Sequence, residues 1–213
     1  MKSAALLQTE SSSTIGLGAP GQDTRRPHAP INVAALLREN AELRRTLASM
    51  QVLRELAYRD ALTGLWNRRY FEERMSEERA RAHREPESPF TLMIVDLNNM
   101  KQINDRHGHE AGDRVLKWVA RFFEENLRGY DVTFRLGGDE FALLLPNTRA
   151  EDAAHLIQRL RGELARANTC RDISVGLSFG AATYRADDTT DRAIFIRADE
   201  AMYEDKHRQK RAA

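Results

Sequence analysis

The stretch Val132–Leu145, Val-Thr-Phe-Arg-Leu-Gly-Gly-Asp-Glu-Phe-Ala-Leu-Leu-Leu, constrains the fold more than any other. Val132, Phe134 and Leu136 alternate with Thr133 and Arg135, the two-residue period of a strand, and Phe141, Leu143 and Leu145 continue it. Gly137-Gly138 between the arms supplies the positive φ of a tight hairpin turn at no steric cost. The turn carries two adjacent carboxylates, Asp139 and Glu140. Like charges side by side repel unless a cation or a donor sits between them. The turn is therefore either a solvated corner with two incidental acids or a metal site on a rigid hairpin.

The rest of the chain narrows the choice by exclusion. Its 213 residues suffice for one ordinary domain plus an appendage. A formal net charge of +1 gives no bulk attraction to nucleic acid or to an anionic membrane, and neither is expected as a partner. No apolar run approaches the ~18 residues of a membrane span, and Ala4-Ala5-Leu6-Leu7 is too short for a signal peptide. Cys170 is the one cysteine, which excludes an intramolecular disulfide and a multi-cysteine metal site. A cytoplasmic location fits.

Residues 1–30 are rich in Ser, Gly, Pro and Thr and read as a disordered arm, with Pro27 and Pro30 marking its end. Residues 31–57 read as a helix. Val33, Asn40, Leu47 and Arg54 are seven apart, and Leu36, Leu43, Met50 and Ala57 form a second series offset by three, an a/d seam. Asn40 at an a position fixes register and favours a dimer, while Arg54 weakens the end of the seam. Such a helix packs on its own domain, pairs with a second copy or docks a regulatory protein. Self-pairing is the favoured expectation.

Asp60–Asn67 should end that helix at Gly64, with Asn67 capping a second helix that fades near Glu85-Pro86. Phe90–Asp96 reads as a strand buried on both faces that ends in a carboxylate, so Asp96 is a second candidate metal ligand. Leu97-Asn98-Asn99-Met100-Lys101 reads as a polar loop whose N–H groups and Lys101 suit phosphate. After Asn104–Asp113 a helix should run to about Leu127 with Val115, Val119 and Phe123 inward. His107 and His109 read as turn or packing residues. Arg128-Gly-Tyr-Asp131 reads as a surface turn. Thr148 with Glu151 suggests a capping box. Ile173–Phe179 reads as a half-buried strand whose small face permits close approach. A last helix from about Asp191 ends in Lys206, Arg208, Lys210 and Arg211.

In combination these segments resemble the GGDEF family of diguanylate cyclases over Asp60–Lys210. The signature hairpin stands as Gly137-Gly138-Asp139-Glu140-Phe141. An upstream motif stands as Asp60-Ala-Leu-Thr-Gly-Leu-Trp-Asn-Arg-Arg69. The strand-loop segment stands as Asp96-Leu-Asn-Asn-Met-Lys101, followed by Asn104-Asp105, Gly108-His109 and Gly112-Asp113. The resemblance implies an α+β domain over residues 58–213, palm-like (ferredoxin-like), with a mostly antiparallel sheet flanked by helices and preceded by the coiled-coil-type helix. It implies condensation of two GTP into cyclic di-GMP plus two pyrophosphates at a homodimer interface. Two Mg²⁺ per active site, or Mn²⁺ in their place, would be held by Asp96, Asp139, Glu140 and the Leu97 carbonyl. Asp139 or Glu140 would accept the 3′-hydroxyl proton, and the division of labour between them stays open.

By the same resemblance Asn104 and Asp113 would read the guanine edge. Asn99, Met100, Lys101, Gly138, Lys206 and Lys210 would contact substrate, with the lysines on the triphosphate. Arg128 and Asp131 match the family's RxxD product-inhibition site, and Arg159 would add a contact from a neighbouring domain. Departures stand out: Asn98 and Met100 where the family more often has a second Asp and a Phe, and Gln209 and Arg211 where a Gly usually precedes the last cation and an Asn follows it. Three rivals remain: a nucleotide receptor without activity, an interaction protein working through residues 1–57, and a cyclase making a mixed GMP–AMP product. Residues 1–57 are too few for a sensor domain, so the activating signal is expected to come from a partner, or the enzyme to be restrained by its product alone.

Overall fold

The computed structural model describes residues 32–212, so the arm expected over 1–30 lies outside them. Two compact units divide between Arg45 and Thr46, within helix α1 (Val33–Tyr58). The seam residues Leu36, Leu43, Leu47 and Met50 are 53% to 61% exposed, and no residue of α1 is buried. α1 stops at Tyr58, ahead of the expected break at Gly64. No helix among the described residues is long and apolar enough to cross a membrane.

The second unit continues as β1 (Trp66–Asn67), α2 (Arg68–Arg84), β2 (Phe90–Asn98), α3 (Met100–His107) and α4 (His109–Asn126). It is completed by β3 (Val132–Gly137), β4 (Glu140–Pro146), α5 (Ala150–Asn168), β5 (Gly176–Thr183) and α6 (Asp191–Ala212). The sheet order is β1-β3-β4-β2-β5. Only β1 pairs in parallel, with β3, so the expected α+β, mostly antiparallel architecture is what the chain adopts. Alternation along β2 splits the core. Met93, Val95 and Leu97 pack with Val119 and Phe123 of α4 and Leu160 of α5. Leu92 and Ile94 pack with Phe71 and Met75 of α2 and Ile194 and Ala198 of α6.

Several local expectations are corrected. The polar loop at Leu97–Lys101 is instead the end of β2, one left-handed residue, Asn99 (φ 61°, ψ 24°), and the first turn of α3. Asn tolerates that conformation better than most side chains, so a strand turns into a helix with no loop between them. α4 begins at His109, which places Asp113 inside it rather than before it. The Thr148–Glu151 box does not form. Thr148 donates its hydroxyl to the Pro146 carbonyl, and Asp152 accepts the Arg149 N–H at 3.3 Å, because the helix starts one residue later. β5 begins at Gly176 and is covered on both faces. A Cβ on Gly180 would lie 2.0 Å from the Met202 nitrogen, so the small face admits the α6 backbone.

Candidate active site

Because alternate residues of β2 face opposite ways, Asp96 and Asn98 lie on the side of α2 and α6. Asp96 is 7% exposed, and Lys206 Nζ donates to its Oδ1 at 2.6 Å. In register Asp96 stands opposite Glu140 of β4 and Ser178 of β5. Opposed residues of an antiparallel pair hold their Cβ atoms roughly 4.5–5.5 Å apart, so two carboxylates share one face at the end of the sheet. The Leu97 N–H donates to the Asp139 carbonyl at 3.0 Å, which brings the third acid to the same edge.

Acids so placed raise one another's proton affinity. Burial first, then Asp199, Asp139 and Asp96, push the Glu140 carboxyl above its ordinary value against the pull of Arg68. Arg68 Nη2 lies 3.9 Å from Glu140 Oε2, and its Nε donates to the Leu136 carbonyl at 3.0 Å. Sequence reasoning missed both Arg68 and Asp199. Arg68 stood inside the Asp60–Arg69 motif without a role of its own, and Asp199 on α6 acts on Glu140 through its charge, with no local signal to mark it.

The turn is held from behind. Gly138 has φ 55°, a conformation that glycine adopts without strain. Arg135 donates to the Gly138 carbonyl from Nη2 at 2.8 Å and to both oxygens of Asp60 from Nη1 at 3.0 and 3.2 Å. Asp60 also accepts the Thr63 N–H and hydroxyl at 2.8 and 2.7 Å. Burial raises the Asp60 carboxyl, but the Thr63 and Arg135 hydrogen bonds outweigh it and hold it below the usual range. The Asp60-Ala-Leu-Thr-Gly motif is thus an anchor for the acidic turn.

At the α3–α4 corner, Asn104 is half-buried and its Oδ1 is buried with no partner among described residues. A Cβ on Gly112 would lie 2.0 Å from that oxygen, so only glycine leaves room for the Asn104 amide. Asp113 is the next residue and is exposed. Lys101, on the first turn of α3, and Lys210, one turn beyond Lys206, are exposed as well. His107 and His109 flank Gly108 and are exposed.

A cation fits the acidic end. Among the described residues no three His, Cys, Asp or Glu side chains are grouped to hold an ion by themselves. The donors offered are carboxylates at Asp96, Asp139 and Glu140 and the backbone carbonyl of Leu97. That set suits a hard divalent ion, which takes one or two carboxylates and completes its shell from phosphate and water.

A cavity of about 310 Å³ is lined by Arg128, Asp131, Thr148, Asp152, His155 and Arg159. Asp131 Oδ2 accepts the Arg128 N–H at 2.9 Å, while Oδ1 is buried without a partner among the described residues. Burial pushes the Asp131 carboxyl up, against the Arg128 N–H and the charges of Arg128 and Arg159. Arg159 donates to the Asn126 carbonyl at 2.7 Å. It therefore lines the same cavity as Arg128 in one chain, where the sequence suggested a contact from a neighbouring domain. Asp152 and His155 were not foreseen. They come from α5, far along the chain from the Arg128 turn.

The family model described as "Diguanylate cyclase, GGDEF domain" matches residues 57–212. Diguanylate cyclase DgcP of Pseudomonas aeruginosa is 38% identical over 156 residues, 72% of this chain and 23% of that protein. Among solved structures, diguanylate cyclase SiaD of Pseudomonas aeruginosa, in complex with its activator SiaC, aligns with TM-score 0.70 and 36% identity. That alignment covers 82% of this chain and 68% of SiaD. The coiled coil and GGDEF domain of DgcB from Caulobacter crescentus, in complex with c-di-GMP, aligns with TM-score 0.72 and 27% identity, over 82% of this chain and 93% of that one. The chain spans less than half the length of the curated relatives it matches. With the acidic hairpin, the sheet order and the family match in agreement, the chain belongs to the GGDEF diguanylate cyclase family.

Proposed function

We propose that this protein condenses two GTP into cyclic di-GMP and releases two pyrophosphates. The observation that carries the reading is the half-buried Asn104 amide with an unpartnered end, seated over Gly112 beside Asp113. A carboxylate and an amide side by side accept from guanine N1–H and its 2-amino group, donors that adenine does not offer in that arrangement. Asn99, Met100 and Lys101 at the start of α3 receive phosphate on free N–H groups and one ammonium. Lys206 and Lys210 add charge from α6, and Gly138 leaves the turn open to the substrate. Asp96, Asp139, Glu140 and the Leu97 carbonyl would hold Mg²⁺, which neutralises charge on the reacting phosphate. Asp139 and Glu140 are the groups placed to take the proton of the attacking 3′-hydroxyl. Burial and its acidic neighbours raise the Glu140 carboxyl, which suits that group to accepting a proton.

Each domain binds one GTP, so two domains face each other. The exposed a/d seam of α1 pairs two copies and raises their effective concentration. Leu37, Leu53 and Leu56 lie off that seam and are exposed too, which leaves apolar side chains for a regulatory protein of the kind that SiaC is for SiaD. Product returns to the Arg128–Asp131–Arg159 cavity, where the free Asp131 oxygen accepts from a guanine edge and the arginines meet phosphate. Incubation with GTP and Mg²⁺, followed by chromatography, should yield cyclic di-GMP that disappears in Glu140→Gln. A folded dimer that makes none would refute the reading. Leu47→Arg should lower turnover per chain at dilute protein and recover at high concentration.

A further inference from the structure

We infer that Gln209 is a positioning residue for the triphosphate site, and that it dictates an uncharged amide at position 98. The inference rests on the substrate reading above. Asn98 and Asp96 project from β2 to the same side, toward α6. Asp96 meets Lys206 at 2.6 Å, and Asn98 Nδ2 donates to Gln209 Oε1 at 3.0 Å. Lys206 and Gln209 are three apart on one helix and share a face. The two contacts are successive rungs that seat the last turns of α6 on the sheet.

The direction of the network is fixed by groups that can only accept. Gln209 Nε2 donates to the Leu177 carbonyl at 3.0 Å and to Asp205 Oδ2 at 2.9 Å. Asp205 is itself committed, since it accepts the Phe179 N–H at 2.9 Å and Arg161 Nη2 at 2.6 Å. The Gln209 amide therefore cannot turn over, and its oxygen faces position 98. Whatever stands there must donate. Asn98 does so with Nδ2 while its Oδ1 accepts the Ser178 hydroxyl at 2.9 Å. A carboxylate would set acceptor against acceptor in a half-buried place and leave both without a donor. Two of the residues that depart from the family pattern are thus partners of one another.

Their joint effect is on where the cations sit. Gln209 carries the helical path past the point where a glycine would favour its end, so Lys206 and Lys210 stay one turn apart on a single face. Asn98 directly precedes Asn99, the left-handed corner that launches Lys101 into α3. One side-chain pair therefore ties the α6 lysines to the α3 phosphate corner.

The test measures binding of 3′-deoxy-GTP with Mg²⁺ by calorimetry on the full chain, with thermal unfolding alongside. Failure of the unaltered protein to bind would overturn the substrate reading and this inference with it. If it binds, Gln209→Ala and Asn98→Asp should each weaken binding about tenfold. The two variants should weaken 3′-deoxyguanosine, which lacks the phosphates, less than threefold. A merely structural role would affect both ligands alike and would overturn the inference. A second arm asks for rescue. Asn98→Asp should cost about tenfold with Gln at 209 but less than threefold in the Gln209→Lys background, where a donor faces every acceptor. Equal cost in both backgrounds would overturn the pairing.

Discussion

Two turns of this molecule carry acids beside arginine, and they are built on opposite principles. At Gly137–Glu140 the protein supplies its own counter-charges: Lys206 on Asp96, Arg68 near Glu140, and Arg135 bracing the turn through Asp60. At Arg128–Asp131 the chain leaves an acid half-satisfied, one oxygen on the Arg128 N–H and the other buried without a partner. The first arrangement holds charge in place so that little reorganises when a reacting group arrives. The second leaves an acceptor open to a donor from a bound group. On the function proposed above, a catalytic group and a regulatory group need these different balances, although both begin as an acid on a surface turn.

The comparison can be broken most forcefully at Glu140. Glu140→Gln should lower the rate of cyclic di-GMP formation about 10³-fold without loss of thermal stability, since it removes a like charge from an acidic cluster; an unchanged rate would strip the hairpin of its role. Next in size, Arg135→Ala frees the Gly138 carbonyl and leaves Asp60 half-buried without its cation. Denaturant unfolding should register about 2–3 kcal/mol of lost stability.

At the second turn, Arg128→Ala should weaken cyclic di-GMP binding about 30-fold by calorimetry, while the first turn's variants leave that affinity within about twofold. The smallest effect is in pH. Asp131 titrates above its unfolded value, so the folded state holds an extra proton between the two. Stability from this group is present at the acid side of that window and is lost as pH rises through it. On the proposed product site the ligand needs the ionised acid, so its affinity should fall as pH drops below the raised value, by no more than tenfold per unit, and Asp131→Asn should flatten the profile. A flat profile in the unaltered protein would remove Asp131 from the product site.

What could be read in advance followed from periodicity and local chemistry. The two-residue period of Val132–Leu145 gave the hairpin, Phe90–Asp96 gave a strand buried on both sides, and Asn67 capped its helix by accepting the Tyr70 N–H. Elements too short to show a period were not legible. β1 has two residues and exists because β3 offers an edge, and α3 opens on the left-handed Asn99 inside what read as a loop. Among the site residues, those carrying a local signal (Asp96, Asp139, Glu140) were found. Asp199, Asp152 and His155 were not, because each acts across the fold on a partner the chain does not announce, and Arg68, inside the Asp60–Arg69 motif, was given no role of its own. Asp60 was seen only as part of a motif. Its work, gripping Arg135 behind the acidic turn, depends on a partner 75 positions along the chain.

The junction after α1 has a mechanical consequence. Asn67 Nδ2 donates to the Ala57 carbonyl at 2.9 Å while its Oδ1 caps α2, and Arg59 Nη1 donates to the Gly64 carbonyl at 3.0 Å. The residue after Asn67 is Arg68, near Glu140, and the residue after Arg59 is Asp60, held by Arg135. The turn between α1 and β1 is therefore pinned at both ends, and a change of direction at Tyr58 would pull on the backbone beside Arg68 and Asp60, the residues that meet Glu140 and Arg135, much as a crank moves both ends of one throw.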